Sequence, residues 1–118
     1  GEIVTQAHSG RECLKLLEEK EIDVVILDIL MPGMDGIATL KEIKKRFPLI
    51  EVIMLTGHGT TESAVQGMKQ GAFDYLLKPA NFGELTTKLE AARKRKDEQV
   101  ERIRKAEVKL LLRKSGDI

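Results

Sequence analysis

The segment 22–27 constrains the fold most, because it is a nearly unbroken run of apolar, mostly β-branched residues that ends in Asp28. Such a run is typical of a strand that is buried on both faces, as in a parallel sheet covered by helices. Residues 50–55 form a second run of this kind, which ends in Thr56. The chain is therefore predicted to contain buried parallel strands rather than a sheet with one solvated face.

Helical patterns separate these runs. Three of the four amphipathic segments follow a residue that can cap a helix start; these residues are Ser9, Thr60 and Asn81. The predicted helices run to about residue 21, over 36–47, to about residue 70 and from residue 82 onward. Short strands are predicted over 2–7 and 73–77. Strands that alternate with helices predict an α/β fold with a parallel sheet covered on both faces.

Three of the predicted strands lead directly into polar residues, namely Asp28, Thr56 and Lys78. Because the carboxyl ends of parallel strands share one edge of the sheet, these side chains are expected to lie together where α/β proteins bind ligands. A structural ion pair at the rim is one interpretation. The other is phosphoryl transfer, with the carboxylate as nucleophile, the ammonium as fixed positive charge and the hydroxyl as hydrogen-bond donor.

The runs VILDILMPGMDG (25–36), VIMLTG (52–57) and GAFDYLLKP (71–79) resemble, in order and spacing, the receiver domain of two-component response regulators. The resemblance covers about residues 2–92. It implies a flavodoxin-like, doubly wound sheet and Mg²⁺-dependent transfer of a phosphoryl group from a histidine kinase or phosphotransfer protein. It also implies slow autodephosphorylation. The sequence therefore predicts a receiver domain over 1–92.

The resemblance also implies roles for individual residues. Asp28 matches the phosphoacceptor, Thr56 the switch hydroxyl and Lys78 the lysine that contacts a phosphoryl oxygen. Tyr75 matches the aromatic switch residue, and the Lys78–Pro79 bond matches a peptide bond that is cis in the family. These residues are the candidate site.

The expected Mg²⁺ ligands are Asp28 and the backbone carbonyl of Leu30. Receivers also use an acidic pair that follows their first strand, and this sequence begins where their second strand begins. The first strand, first helix and acidic pair therefore have no counterpart here, and we expect Mg²⁺ binding to be weak or absent.

The missing strand also matters for the sheet. In the order 2-1-3-4-5, it would lie between the strands at 2–7 and 22–27. We therefore expect two strand edges facing a gap, filled either by residues upstream of Gly1 or by association with another chain. Residues 108–112 are apolar enough to be such a donor strand, although they fit a helix equally well.

Residues 93–118 differ from the rest, with ten Lys or Arg against five Asp or Glu. They are predicted to be a charged helical extension, either solvated or paired with a second copy as a coiled coil. Nucleic-acid binding is not expected, because acids interrupt the basic residues and aromatics are missing. The possible homodimer contacts are thus the last helix, the tail and the exposed sheet edge.

The composition, 42% hydrophobic and 33% charged, is that of a globular domain. The single cysteine, Cys13, lies in an amphipathic pattern and is expected to be a buried thiol. No apolar run could cross a bilayer and no signal peptide opens the sequence, so a cytoplasmic location without membrane contact is expected.

Two functions of different classes follow. The first is a phosphoacceptor switch, which is not an enzyme beyond self-phosphorylation and autodephosphorylation when the acidic pair is present. The second is a phosphorylation-independent interaction or dimerisation module on the same scaffold. A hydrolase is a distant third interpretation, because no candidate metal-bound water or catalytic pair of acids is visible in the sequence.

Overall fold

The computed structural model describes residues 2–4, 10–28, 36–57 and 61–115. Strands and helices alternate along these residues, as predicted. The elements are β1 (Glu2–Val4), α1 (Gly10–Glu19), β2 (Ile22–Asp28), α2 (Gly36–Arg46), β3 (Glu51–Thr56), α3 (Thr61–Lys69), β4 (Asp74–Leu77) and α4 (Phe82–Ser115). The bounds agree with the sequence prediction to within one or two residues, except for β1, whose predicted second half lies outside the described residues.

The described strands form one parallel sheet in the order β1-β2-β3-β4. β1 pairs directly with β2, with Val4 opposite Val25. The prediction of a gap between these two strands is therefore wrong. An open edge on the buried strand β2 would leave backbone donors and acceptors without partners, and pairing with β1 supplies partners along residues 22–25.

The helices cover both faces of the sheet, as the doubly wound fold requires. One core contains Val25, Val52 and side chains from α1 and α2, whereas the other contains Val24, Ile53 and side chains from α4. Consecutive residues of β2 and β3 thus point into different cores. This explains why the sequence of these strands is apolar without alternation.

Two predicted helix boundaries are confirmed by their local geometry. The backbone N–H of Glu84 donates to Asn81 Oδ1 at 3.1 Å, which caps the start of α4. Gly71, just after α3, has φ of 102°, the left-handed conformation that ends many helices. The other two predicted caps, Ser9 and Thr60, lie outside the described residues.

The last helix, α4, is a single helix of 34 residues. Its first half packs on the sheet, where Ala92 is fully buried, and the side chains of residues 97–114 are exposed or half-exposed. Residues 108–112 belong to this helix, so their interpretation as a donor strand is wrong. The boundary between receiver and extension at residue 92 falls inside α4 and stays a prediction. Within the described ranges, no helix has the length and apolar character to span a bilayer.

Candidate functional site

The three polar residues at the carboxyl edge of the sheet are brought together by adjacent parallel strands. Asp28 is the last residue of β2 and Thr56 the last of β3, and Lys78 directly follows β4. The backbone N–H of Lys78 donates to the carbonyl oxygen of Thr56 at 2.7 Å, which fixes the turn after β4 against the end of β3.

Asp28 and Lys78 form an ion pair across this edge. Lys78 Nζ donates to Asp28 Oδ2 at 2.5 Å. The side chain of Lys78 is 41% exposed and that of Asp28 is 35% exposed. A pair this accessible to water contributes only about 0–1 kcal/mol to stability. The arrangement is therefore better suited to chemistry: a carboxylate that a donor can reach, beside a cation that can neutralise incoming negative charge.

Thr56 is almost fully buried, and its Oγ1 has no hydrogen-bond partner among the described residues. A buried hydroxyl without a partner costs roughly 1–3 kcal/mol. This hydroxyl belongs to the last residue of β3, one position after Leu55, which pairs with Asp28.

Tyr75 lies on β4, opposite Met54 of β3 and two residues before the pair formed by Thr56 and Leu77. It therefore shares a sheet face with Thr56. Its side chain is 40% exposed, and Lys88 Nζ lies 5.7 Å from the ring centroid while donating to Asp74 Oδ2 at 2.7 Å. The ring thus points outward in this structure.

The metal ligands predicted from the sequence are only partly visible. Leu30 and the rest of the loop 29–35 lie outside the described residues, and no group of three His, Cys, Asp or Glu suited to a metal ion occurs within the described part of the chain. Asp28 alone does not make a Mg²⁺ site. The Lys78–Pro79 peptide bond is cis.

Sequence reasoning missed a second group of charged residues, at the amino edge of the sheet. Asp23 on β2 binds Lys96, and Glu51 Oε2 on β3 lies 2.9 Å from Nε of Arg95. The sequence contains one indication of this group, because each of the two apolar runs includes an acidic residue. A carboxylate that is buried in a strand requires a cationic partner from elsewhere in the chain.

The parallel α/β fold with polar residues at its carboxyl edge is the arrangement of a receiver-type signalling domain, and the comparisons agree. A model of the response regulator receiver domain family matches residues 1–90. The chain belongs to this family and is a signalling domain of two-component response regulators. Receiver domains generally bind Mg²⁺.

Relatives with known names support the same family. The chain is 47% identical over 89 residues to the transcriptional regulatory protein ZraR of Escherichia coli K12, and 47% identical over 88 residues to the DNA-binding transcriptional regulator NtrC of the same strain. Each match covers 75% of this chain but only 20% and 19% of those proteins. The chain thus spans about a fifth of the length of these relatives.

Two solved structures match this chain over a larger share of their own length than these relatives do. The receiver domain of NtrX from Brucella abortus has a TM-score of 0.72 and 36% identity, covering 75% of both chains. A receiver domain protein from Clostridium thermocellum has a TM-score of 0.73 and 44% identity, covering 77% of this chain and 74% of that one.

Proposed function

We propose that this chain accepts a phosphoryl group on Asp28 from a histidine kinase or phosphotransfer protein and changes conformation in response. The observation that carries the proposal is the exposed ion pair between Asp28 and Lys78, beside the buried hydroxyl of Thr56 that has no described partner. Family membership supports the same reading.

The proposed transfer uses the three side chains in different roles. A carboxylate oxygen of Asp28 attacks the phosphorus of the donor phosphohistidine, the P–N bond breaks, and the imidazole leaves with the electron pair and takes up a proton. The product is an acyl phosphate on Asp28. Lys78 neutralises negative charge that develops on a phosphoryl oxygen, and the hydroxyl of Thr56 donates a hydrogen bond to another.

The conformational response follows from the same hydroxyl. When a phosphoryl oxygen is present, Thr56 gains a hydrogen bond that it lacks within the described structure, so the phosphorylated state favours a shift of Thr56 toward Asp28. Tyr75, which shares its sheet face, then turns inward, and the surface around α3 changes. This is a shift between two conformations whose populations the phosphoryl group alters.

We further propose that two copies associate through the exposed part of α4. Val100, Ile103, Leu110 and Leu111 lie along this segment and are 40–65% exposed. Ile103 and Leu110 are seven residues apart, as in the seam of a coiled coil. A purely phosphorylation-independent module is not favoured, because it gives no role to the geometry at Asp28.

Phosphoryl labelling tests the assignment of Asp28. The chain is incubated with labelled acetyl phosphate and Mg²⁺, both as it stands and joined to a receiver's first strand, first helix and acidic pair. We expect label chiefly in the form that carries the acidic pair, little or none in the chain as it stands, and none in Asp28→Asn of either form.

Asp74→Asn is the matched control, because Asp74 is also a partly exposed carboxylate with a lysine partner, at 2.7 Å from Lys88, but it lies away from the carboxyl edge. This variant should label like the parent. Label that persists in Asp28→Asn, or no label in either parent form at saturating Mg²⁺, would contradict the proposal.

A further inference from the structure

The amino edge of the sheet, opposite the candidate phosphorylation site, carries two buried carboxylates. Asp23 is the second residue of β2 and Glu51 the first of β3, and their side chains are 7% and 2% exposed. A carboxylate with so little access to water is unfavourable unless cations and hydrogen bonds compensate for the lost hydration. The cations that pair with Asp23 and Glu51 therefore identify the elements whose positions relative to the sheet must be maintained.

Most of these partners come from one short stretch of α4. Lys96 binds Asp23 directly, and Arg93 Nε lies 3.6 Å from its Oδ2. Arg95 Nε lies 2.9 Å from Glu51 Oε2, a contact of opposite charges without hydrogen-bond geometry. Burial raises the pKa of Asp23, but the hydrogen bond and charge of Lys96 lead the opposing effects, and this pKa lies below its ordinary value. The carboxylate is thus charged and paired in the folded protein.

Glu51 also contacts a helix on the other face of the sheet. Lys44, in the last turn of α2, has its Nζ 3.4 Å from Glu51 Oε1 and donates to the carbonyl oxygens of Pro48 and Ile50, each at 2.9 Å. Glu51 therefore links α2 and α4, which lie on opposite faces of the sheet, at the amino end of β3. We name these six residues the amino-edge cluster; they are Asp23, Lys44, Glu51, Arg93, Arg95 and Lys96.

The position of the amino-edge cluster on α4 is informative. The last fully buried residue of α4 is Ala92, and the exposed part of the helix begins at Asp97. The cluster lies between them, where the helix leaves the sheet. Most of a helix's stability in a protein comes from packing, and residues 97–114 are exposed or half-exposed, so the direction of this segment depends on how firmly the preceding turn is held.

We propose that the amino-edge cluster fixes the direction in which α4 projects from the receiver, so that the exposed part of the helix moves as one rigid body with the sheet. The buried carboxylates are the fixed ends of the cluster, because they belong to β2 and β3, and the cations of α4 are its mobile ends. This inference does not depend on phosphorylation of Asp28 or on association of two copies.

Spin-label distances in the 118-residue chain test the proposal. Labels are attached to cysteines introduced at Lys41 on α2 and Lys109 on the exposed part of α4, since both positions are exposed and the native Cys13 is fully buried. Labelled chain is diluted with excess unlabelled chain, so that contacts between copies do not contribute. The parent should give a narrow distance distribution.

The double variant Asp23→Asn and Glu51→Gln should widen that distribution about twofold, as a held element becomes locally mobile. Neutralising the carboxylates is the milder change, because the side chains of Arg93 and Arg95 are about half exposed and can be rehydrated. Glu101→Gln is the matched control: it breaks the exposed pair with Arg104, at 2.8 Å on the same helix, and should leave the width unchanged.

A folded double variant with a distribution as narrow as that of the parent would overturn the proposal. If the double variant does not fold, Glu51→Gln alone is measured, because it leaves the ion pairs of Asp23 in place. A wider distribution than the parent's then supports the proposal and an unchanged width overturns it.

Discussion

Lys78 Nζ and Asp28 Oδ2 lie 2.5 Å apart although 50 residues separate them in the chain. The contact arises because the strand before each residue ends at the same edge of the sheet. Both side chains are open to solvent, so the pair contributes little to folding, and its placement is best explained by the charge of the group that Asp28 is proposed to receive.

Lys78→Ala should therefore slow labelling of Asp28 by acetyl phosphate by about a hundredfold, the order of effect seen when one fixed group that stabilises developing charge is removed. Its free energy of unfolding should change by less than about 1 kcal/mol. The initial rate of labelling and urea unfolding measure the two effects. Lys88→Ala, which removes the partner of Asp74, should keep the parental rate; an equal loss of rate in both variants would contradict the role of Lys78.

Removing the hydroxyl of Thr56 should leave stability unchanged or raise it, but it should abolish the conformational response to phosphorylation. Thr56→Val keeps the shape but removes a buried hydroxyl that has no described partner, so urea unfolding should show unchanged stability or a gain of up to about 1 kcal/mol. The phosphorylated variant should lack the spectral changes around α3 that accompany phosphorylation of the parent. Thr56→Ser, which keeps the hydroxyl, should retain them. A loss of more than about 1 kcal/mol in Thr56→Val would show that the hydroxyl already has a partner.

The convergence of Asp28, Thr56 and Lys78 could be predicted from the sequence, because Asp28 and Thr56 end clear apolar runs and Lys78 directly follows the short strand predicted over 73–77. Their roles came from the family resemblance and stay predictions. The order of the strands was predicted less well. The family order with its first strand missing predicts a gap between β1 and β2, whereas in this chain β1 pairs directly with β2 over residues 2–4.

The amino-edge cluster escaped prediction for a different reason. Asp23 and Lys96 are 73 residues apart, and nothing local in either segment indicates the other. The stretch 93–96 has the composition of a solvated tail, and only the packing of Leu89 and Ala92 on the sheet brings it over the two buried carboxylates. Partners this distant in sequence become visible only when the packing of the helix is known.

The packing of α3 on β3 depends on Gly67. A Cβ at this position would overlap Sδ and Cε of Met54, which is fully buried. Gly67→Ala gains about 0.5–1 kcal/mol of helix propensity but loses about 1–3 kcal/mol through overpacking, so we expect a net destabilisation of roughly 1 kcal/mol in urea unfolding. Met54→Val should relieve the overlap. A double-mutant cycle with additive effects would contradict the contact.

The thiol of Cys13 should make stability depend on pH at the alkaline end. Burial, followed by the charge of Glu12, raises its pKa from 9.0 to about 11. Between these values the unfolded chain releases the proton while the folded chain keeps it, so stability falls as pH rises. The stability difference between the parent and Cys13→Ala should be constant below about pH 8.5 and shrink by roughly 2–3 kcal/mol by pH 11. A constant difference over the whole range would contradict the burial effect.

The proposed association of two copies rests on the exposed part of α4 and can be separated from the receiver fold. Ile103 and Leu110 would form the centre of a parallel seam, and Arg102 of one copy would lie near Glu107 of the other, the spacing of flanking ion pairs in such a coiled coil. Ile103→Asp places a charge in the seam and should abolish association. Because Ile103 is 45% exposed in the single chain, its replacement should leave receiver stability within about 0.5 kcal/mol of the parent.

Sedimentation equilibrium at several concentrations measures the association. Lys105→Asp is the control: it brings the same acidic residue to a position two residues further along the helix, where no seam contact is expected, and it should still associate. A parent that sediments as a monomer at all concentrations would contradict the association, whereas a dimer that survives Ile103→Asp would place the contact elsewhere.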